Sequence, residues 1–422
     1  MHVFFYIFLK FNNLFVFGSF REKLNCIFNV LLIYCGYRIC RKQDAMTMDL
    51  EKRDINLDFI RGIAVFSVIS VHFFLYIGYY NEMLNNWAMY FATLMRTMFL
   101  VGVPLFMMLT GYLKNKKTLS KKHYFGIKKT VIIYILATFC AVLYRKYVME
   151  EAISVLGGFL ILFSYQQYSW FIEMYFGLFL LIPFLNMIYH NLKSKKEKLF
   201  LIGVMFFLTA MPSLLNTYSF TVENWFLNPV LSFEYHKLIP AWWVSIYPLT
   251  FYFIGAYFCE YRNEIKISLG MNFLLFVVCL VLFTAYNIWR SAGVNFIYGV
   301  WNERSGFQSV ICAALLFMLL MRLDMTKTPL WIKKLMYHTS QLAFGIYLSC
   351  WIFDQYAYPI LTAQIPTVLE RMPYYFVMVP FIFVCSWLLS FVLDKIYSLI
   401  DWIWGLLKSV FRKEKSEAID KS

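Results

Sequence analysis

Leu57-Asp58-Phe59-Ile60-Arg61-Gly62-Ile63-Ala64-Val65-Phe66-Ser67-Val68-Ile69-Ser70-Val71-His72-Phe73-Phe74-Leu75-Tyr76-Ile77-Gly78 is the stretch that decides the fold. A bilayer crossing needs about 20 mostly apolar residues, and this segment supplies them. It also carries Asp58, Arg61 and His72, and ionisable groups in lipid are costly enough to mark function. Nine further stretches have similar length and composition: 89–113, 126–144, 169–189, 199–217, 241–259, 269–289, 306–321, 338–360 and 373–393. Segment 153–164 is also apolar, but it is short and holds Gly157 and Gly158. It reads as re-entrant or interfacial rather than as a span.

The whole chain agrees. It has 422 residues, 61% hydrophobic and 21% aromatic, with only 15% charged. A soluble domain is about 45–50% apolar and about 25% charged, so a soluble enzyme and a disordered chain are both excluded. The expected fold is an all-α polytopic membrane protein with about ten transmembrane helices. The net charge of +15 would suggest nucleic acid on a soluble protein, but its distribution says otherwise. If the chain starts inside and alternates, four inner loops hold 17 Lys and Arg and five outer loops hold 6. Basic residues gather in cytoplasmic loops. Both termini are therefore expected in the cytoplasm, and no nucleic-acid partner is expected. Counting 153–164 as a span would place Lys193, Lys195, Lys196 and Lys198 outside and invert every later loop.

Residues 1–48 form an N-terminal extension that fits poorly. Lys10, Asn12 and Asn13 interrupt its first apolar stretch, and no small-residue cleavage site follows. Translation starting at Met46 or Met48 is one explanation, and the favoured one; an amphipathic surface segment is the other. The membrane domain is taken as 49–400 and a basic cytoplasmic tail as 401–422. Nine cysteines without a CxxC pair make neither a disulfide framework nor a zinc site, and no metal is expected. No phosphate-binding glycine loop or internal repeat is present.

Within the spans the polar residues are few. Arg61 and His72 are eleven positions apart, which returns to about the same helix face after a rise of about 16 Å. Asp58 lies one turn before Arg61 and can pair with it, and Gly62 can admit a neighbouring helix. The plainer interpretation is a structural Arg–Asp pair and a packing histidine. Arg96 in the second span and Glu173, just after Trp170 at the start of the fourth, fall at the depth of His72. That suggests a polar cavity, or else an Arg96–Glu173 ion pair that only fixes packing. Asp354, near the outer end of the ninth span beside Tyr356 and Tyr358, is a lesser candidate open to solvation.

Several blocks resemble the acyltransferase 3 family of bacterial integral-membrane O-acyltransferases. They are Leu57-Asp58-x-x-Arg61-Gly62-x-Ala64 followed by His72, then Arg96 with Val103-Pro104-Leu105-Phe106 and Gly111-Tyr112-Leu113. Trp170-Phe171 with Pro183, and Phe344-Gly345-Ile346-Tyr347-Leu348, complete the set. They occur in order over about residues 55–355. The resemblance implies a ten-span fold in the bacterial cytoplasmic membrane. It implies transfer of an acyl group, usually acetyl from acetyl-CoA, to a hydroxyl of a surface or lipid-linked glycan. Acyl-CoA is then a donor substrate, with no permanently bound cofactor, and the partners are the bilayer, acyl-CoA and the glycan. A homo-oligomer is left open. The family often has His soon after its late tyrosine-leucine pair, where this chain has Cys350. Residue chemistry fits this activity. His72 suits a general base near neutral pH, or an acyl carrier, with Asp58 and Arg61 beside it on the first span. Arg61, Lys121 and Lys122 can meet CoA phosphates, and Arg96, Trp170 and Glu173 can line an acceptor cavity. The rival functions are a transporter or lipid-linked-sugar flippase and a polysaccharide polymerase. The first lacks a visible inverted repeat here, and the second a large outer loop.

Overall fold

The structure is a computed structural model that describes residues 53–419 other than 222, 226–236 and 292–293, with backbone alone at 167 and 406–419. The extension 1–48 and its alternative start sites lie outside the described residues. Among the described residues the chain is all helical, with no strand. The longer helices are α1 (Ile55–Tyr76), α2 (Trp87–Phe99), α3 (Gly102–Lys114), α4 (Lys128–Tyr147), α5 (Trp170–Asn191) and α6 (Lys195–Thr209). They continue with α7 (Tyr247–Tyr261), α8 (Leu269–Arg290), α9 (Phe307–Leu320), α10 (Leu330–Gln364) and α11 (Tyr375–Ile419). Their starts follow cap chemistry. Asp54, Asn86, Ser194 and Ser268 each accept a first-turn backbone N–H, at the heads of α1, α2, α6 and α8.

Among the described residues eight segments are long and apolar enough to cross a membrane, including α2 and α3 taken together as Trp87–Lys114. The other two expected spans correspond to α7, only 15 residues long, and to the 35-residue α10, whose polar side chains dilute its apolar run. Segment 153–164 contains only the seven-residue helix Val155–Ile161. At about 1.5 Å per residue that is far too short to cross, and its Val155, Leu156, Phe159 and Leu160 lie exposed.

α1 occupies the middle of the bundle, packed by α10, α3, α11 and α2. Ile60, Ala64, Val65, Ile69 and Phe73 are buried along it. Its ends are tied by polar bonds. Asn56 Nδ2 donates to the Leu320 and Leu323 carbonyls, 2.8 Å each. Ser70 Oγ and Tyr375 Oη share a hydrogen bond of 2.9 Å. The second expected span is broken between α2 and α3. Pro104 has no N–H to offer the preceding turn. At the break Gly102 lies so close to α1 that a Cβ would stand 2.8 Å from the Ala64 carbonyl. Helices α3 and α7 cross more tightly still: a Cβ on Gly111 would overlap the Tyr252 carbonyl, and one on Gly255 the Met108 carbonyl. The close approach expected at Gly62 is not there, since its nearest neighbour would be the Thr339 methyl at 3.7 Å, an ordinary contact.

Candidate active site

α1 and α10 bring His72 and Asp354 together. His72 Nδ1 lies 2.7 Å from Asp354 Oδ2. The carboxylate is 0% exposed and the histidine side chain 25%. An ionised carboxylate only accepts, so with Asp354 ionised the bond places the proton on Nδ1 and leaves Nε2 as the basic nitrogen. Cys350, one turn before Asp354, places Sγ 3.7 Å from Nδ1 while its thiol donates to the Tyr347 carbonyl at 3.1 Å. Donor atoms of His72, Cys350 and Asp354 all fall within 4.8 Å of one another. However, two tetrahedral zinc ligands of nitrogen and oxygen stand about 3.3 Å apart, given bonds of about 2.0 Å. A separation of 2.7 Å is that of a hydrogen-bonded pair, not of two ligands around one ion.

His72 lines a cavity of about 310 Å³ with Tyr80, Arg96, Trp170, Tyr298, Arg304 and Tyr347 among its walls. Arg96 is 0% exposed. Its Nη1 donates to the Asn302 carbonyl at 2.9 Å and its Nε to Tyr80 Oη at 3.2 Å. The rings of Phe296, Tyr298 and Tyr80 surround the guanidinium at 4.7, 5.4 and 5.7 Å. Arg304 lies over the Trp170 ring, 3.8 Å from its centroid. Glu173 does not belong here. It is exposed and lines neither this cavity nor the next, so it neither joins the acceptor set nor pairs with Arg96. Trp170 begins α5 facing the cavity, and Glu173, three residues on, faces out of it.

Arg61 lines a second cavity, of about 370 Å³, with Lys114, Lys129, Tyr175 and Tyr347. Its Nη1 donates to Ser340 Oγ at 2.7 Å. The expected Asp58–Arg61 pair is not formed. Arg53 holds both oxygens of Asp58, at 2.6 and 2.9 Å, in a bidentate fork. Among the described residues no carboxylate comes within ion-pair distance of Arg61. Lys121 and Lys122 are exposed and outside this cavity. The lysines that do face it are Lys114 and Lys129, the latter paired with Asp394 at 2.6 Å.

Tyr347 lines both cavities, its hydroxyl donating to the Tyr168 carbonyl at 3.0 Å. At the start of α5 the same division appears, with Trp170 on one side and Phe171 on the other. The acyltransferase 3 family model, described as an acyltransferase domain, matches residues 54–391. The chain belongs to that family. No curated protein and no solved structure matched it. The chain is therefore a multi-pass membrane acyltransferase.

For an acyltransferase, a carboxylate-oriented imidazole can take a proton from an attacking hydroxyl, and the carboxylate stabilises the imidazolium that forms. An arginine without a carboxylate partner offers a fork of donors to phosphate. Two residues of this arrangement escaped the sequence-based assignment. Asp354 was recognisable as an acid in a span, but its depth suggested solvation. Arg304 lies in the loop before α9, expected from the charge pattern to be an outer one, where a lone basic residue carries no signal of its own.

Proposed function

We propose that this acyltransferase moves an acyl group, in the simplest case acetyl, from acyl-CoA to a hydroxyl of a cell-surface or lipid-linked glycan at the bacterial cytoplasmic membrane. The supporting observation is the pair of cavities meeting at Tyr347, with Arg61 in one and the His72–Asp354 pair in the other. The donor's phosphates sit near Arg61 and Lys114, and the pantetheine arm spans the interval of about 16 Å along α1. The acceptor enters the His72 cavity. His72 Nε2 removes the hydroxyl proton as the oxygen bonds to the thioester carbonyl carbon. The C–S bond then breaks, and the CoA thiolate leaves and is protonated.

Membranes bearing His72→Ala, supplied with radiolabelled acetyl-CoA, test this reading. The label should fail to enter the glycan fraction while the protein is inserted at wild-type level. Undiminished labelling overturns the assignment. Accumulation of unmodified lipid-linked sugar with unchanged acylation would instead favour a flippase.

A further inference from the structure

The His72 cavity is unusual in its charge. Two guanidiniums, those of Arg96 and Arg304, line it, and no aspartate or glutamate does. Neither arginine makes an ion pair within 4 Å among the described residues. Asp354 is bound to His72. Arg304 has the neutral Tyr247 hydroxyl as its main partner, with Glu303 adding a weaker field, and neither of these lines the cavity. Arg96 Nη2 and Arg304 Nε are buried without a hydrogen-bond partner. Buried guanidinium N–H groups left unpaired are costly. The contacts that hold Arg96, three aromatic rings, the Tyr80 hydroxyl and one carbonyl, are all neutral and leave its charge uncompensated.

Turnover of a neutral sugar needs at most one cation to meet the oxyanion that develops on the thioester carbonyl. Two facing one cavity of about 310 Å³ exceed that need. We propose that this cavity is an anion site and that Arg304 selects an acceptor bearing a carboxylate or phosphate on or beside the sugar to be acylated. Arg96, deeper and rigidly boxed, meets the reacting centre. Arg304, at the end of an outer loop and stacked on Trp170, grips the anion. The proposal rests on the glycan O-acyltransferase reading, and the experiment separates the two.

The full-length protein in lipid nanodiscs is titrated with methyl glucoside, with methyl glucuronide and with methyl glucoside 6-phosphate. At least one anion should bind about tenfold or more tightly than the neutral sugar, as expected when a charged hydrogen bond is gained. Which anion binds identifies the acceptor's charged group. Arg304→Gln should bring the ratio of anionic to neutral affinity towards one, and Arg304→Lys should retain part of it. A thermal-unfolding midpoint near wild type confirms that both variants fold. Equal affinity for the three sugars, no binding of either anion at millimolar concentration, or an unchanged ratio in Arg304→Gln overturns the proposal. If an anion binds through Arg304 but never becomes acylated from acyl-CoA, the anion site stands and the O-acyltransferase reading fails at this cavity.

Discussion

Replacing Asp354 with Asn probes the His72–Asp354 pair most directly. The change is isosteric, and the site is fully buried with a 2.7 Å bond to Nδ1. The outcome depends on which amide atom faces the ring. If the amide oxygen does, Nδ1 keeps its proton and only the charge is lost. A hydrogen bond to a charged group contributes about 1.5–3 kcal/mol, which lowers the rate about 10- to 150-fold. If the amide nitrogen faces the ring, Nδ1 must accept and the proton moves to Nε2, the nitrogen that needs to be free. A wrong tautomer of this kind costs about 10⁴-fold in hydrolase triads. Asp354→Asn should therefore retain between about one-tenth and one ten-thousandth of wild-type transfer. Folding should be spared, because no charge is left stranded: His72 can stay neutral. The assay is incorporation of radiolabelled acetyl from acetyl-CoA into membrane glycan, normalised to inserted protein. Activity within threefold of wild type, at equal insertion, would refute an orienting role for Asp354.

Other outcomes follow from the same geometry. Arg61→Gln should raise the KM for acyl-CoA about tenfold or more through loss of a charge-assisted phosphate contact, read by initial rates over a donor titration, with Arg61→Lys intermediate. Gly255→Ala should destabilise the protein by about 1–3 kcal/mol, the usual cost of overpacking, because the added methyl meets the Met108 carbonyl; a lower unfolding midpoint in detergent checks it. Glu173→Gln should leave transfer within twofold of wild type, since the side chain is exposed and outside both cavities. A tenfold loss of labelled product would contradict that placement.

The helical, many-span architecture was legible because bilayer thickness fixes segment length and composition. His72, Arg61, Arg96 and Trp170 were legible as cavity residues for a related reason: burying an ionisable or amphipathic group in lipid needs a purpose. What sequence periodicity lacks is the partner's direction. It places a residue on a helix and at a depth, but not towards a given neighbour. Glu173 and Arg96 share a depth, yet Glu173 points out of the bundle. Asp58 has Arg61 one turn away, yet Arg53, five residues back and just outside the helix, reaches both of its oxygens. Lys121 and Lys122 are one of three adjacent lysine pairs in their loop, but they are exposed, and Lys114 and Lys129 face the cavity. α10 shows the converse. Asp354 and Ser340 dilute the apolar signal of the very helix that supplies the partners of His72 and Arg61.

The shared wall at Tyr347 has an electrical consequence. Water-filled cavities that open to opposite faces of a bilayer and share a wall leave a low-dielectric barrier thinner than the about 30 Å of hydrocarbon. The membrane voltage then falls mainly across the shared wall, to which Tyr347 contributes. A charge carried past it experiences most of the voltage, about 2.3 kcal/mol per elementary charge per 100 mV, and a charge moving within either cavity experiences little. An acetyl group is neutral and crosses without electrical work. The proton taken from the acceptor is the charge that matters. Released on the His72 side while the CoA thiolate draws its proton from the Arg61 side, it makes each turnover shift one positive charge across the barrier. Passed back beside Tyr347, it makes the turnover electroneutral. The proton's route past one side chain thus sets whether acyl transfer responds to the energised state of the membrane.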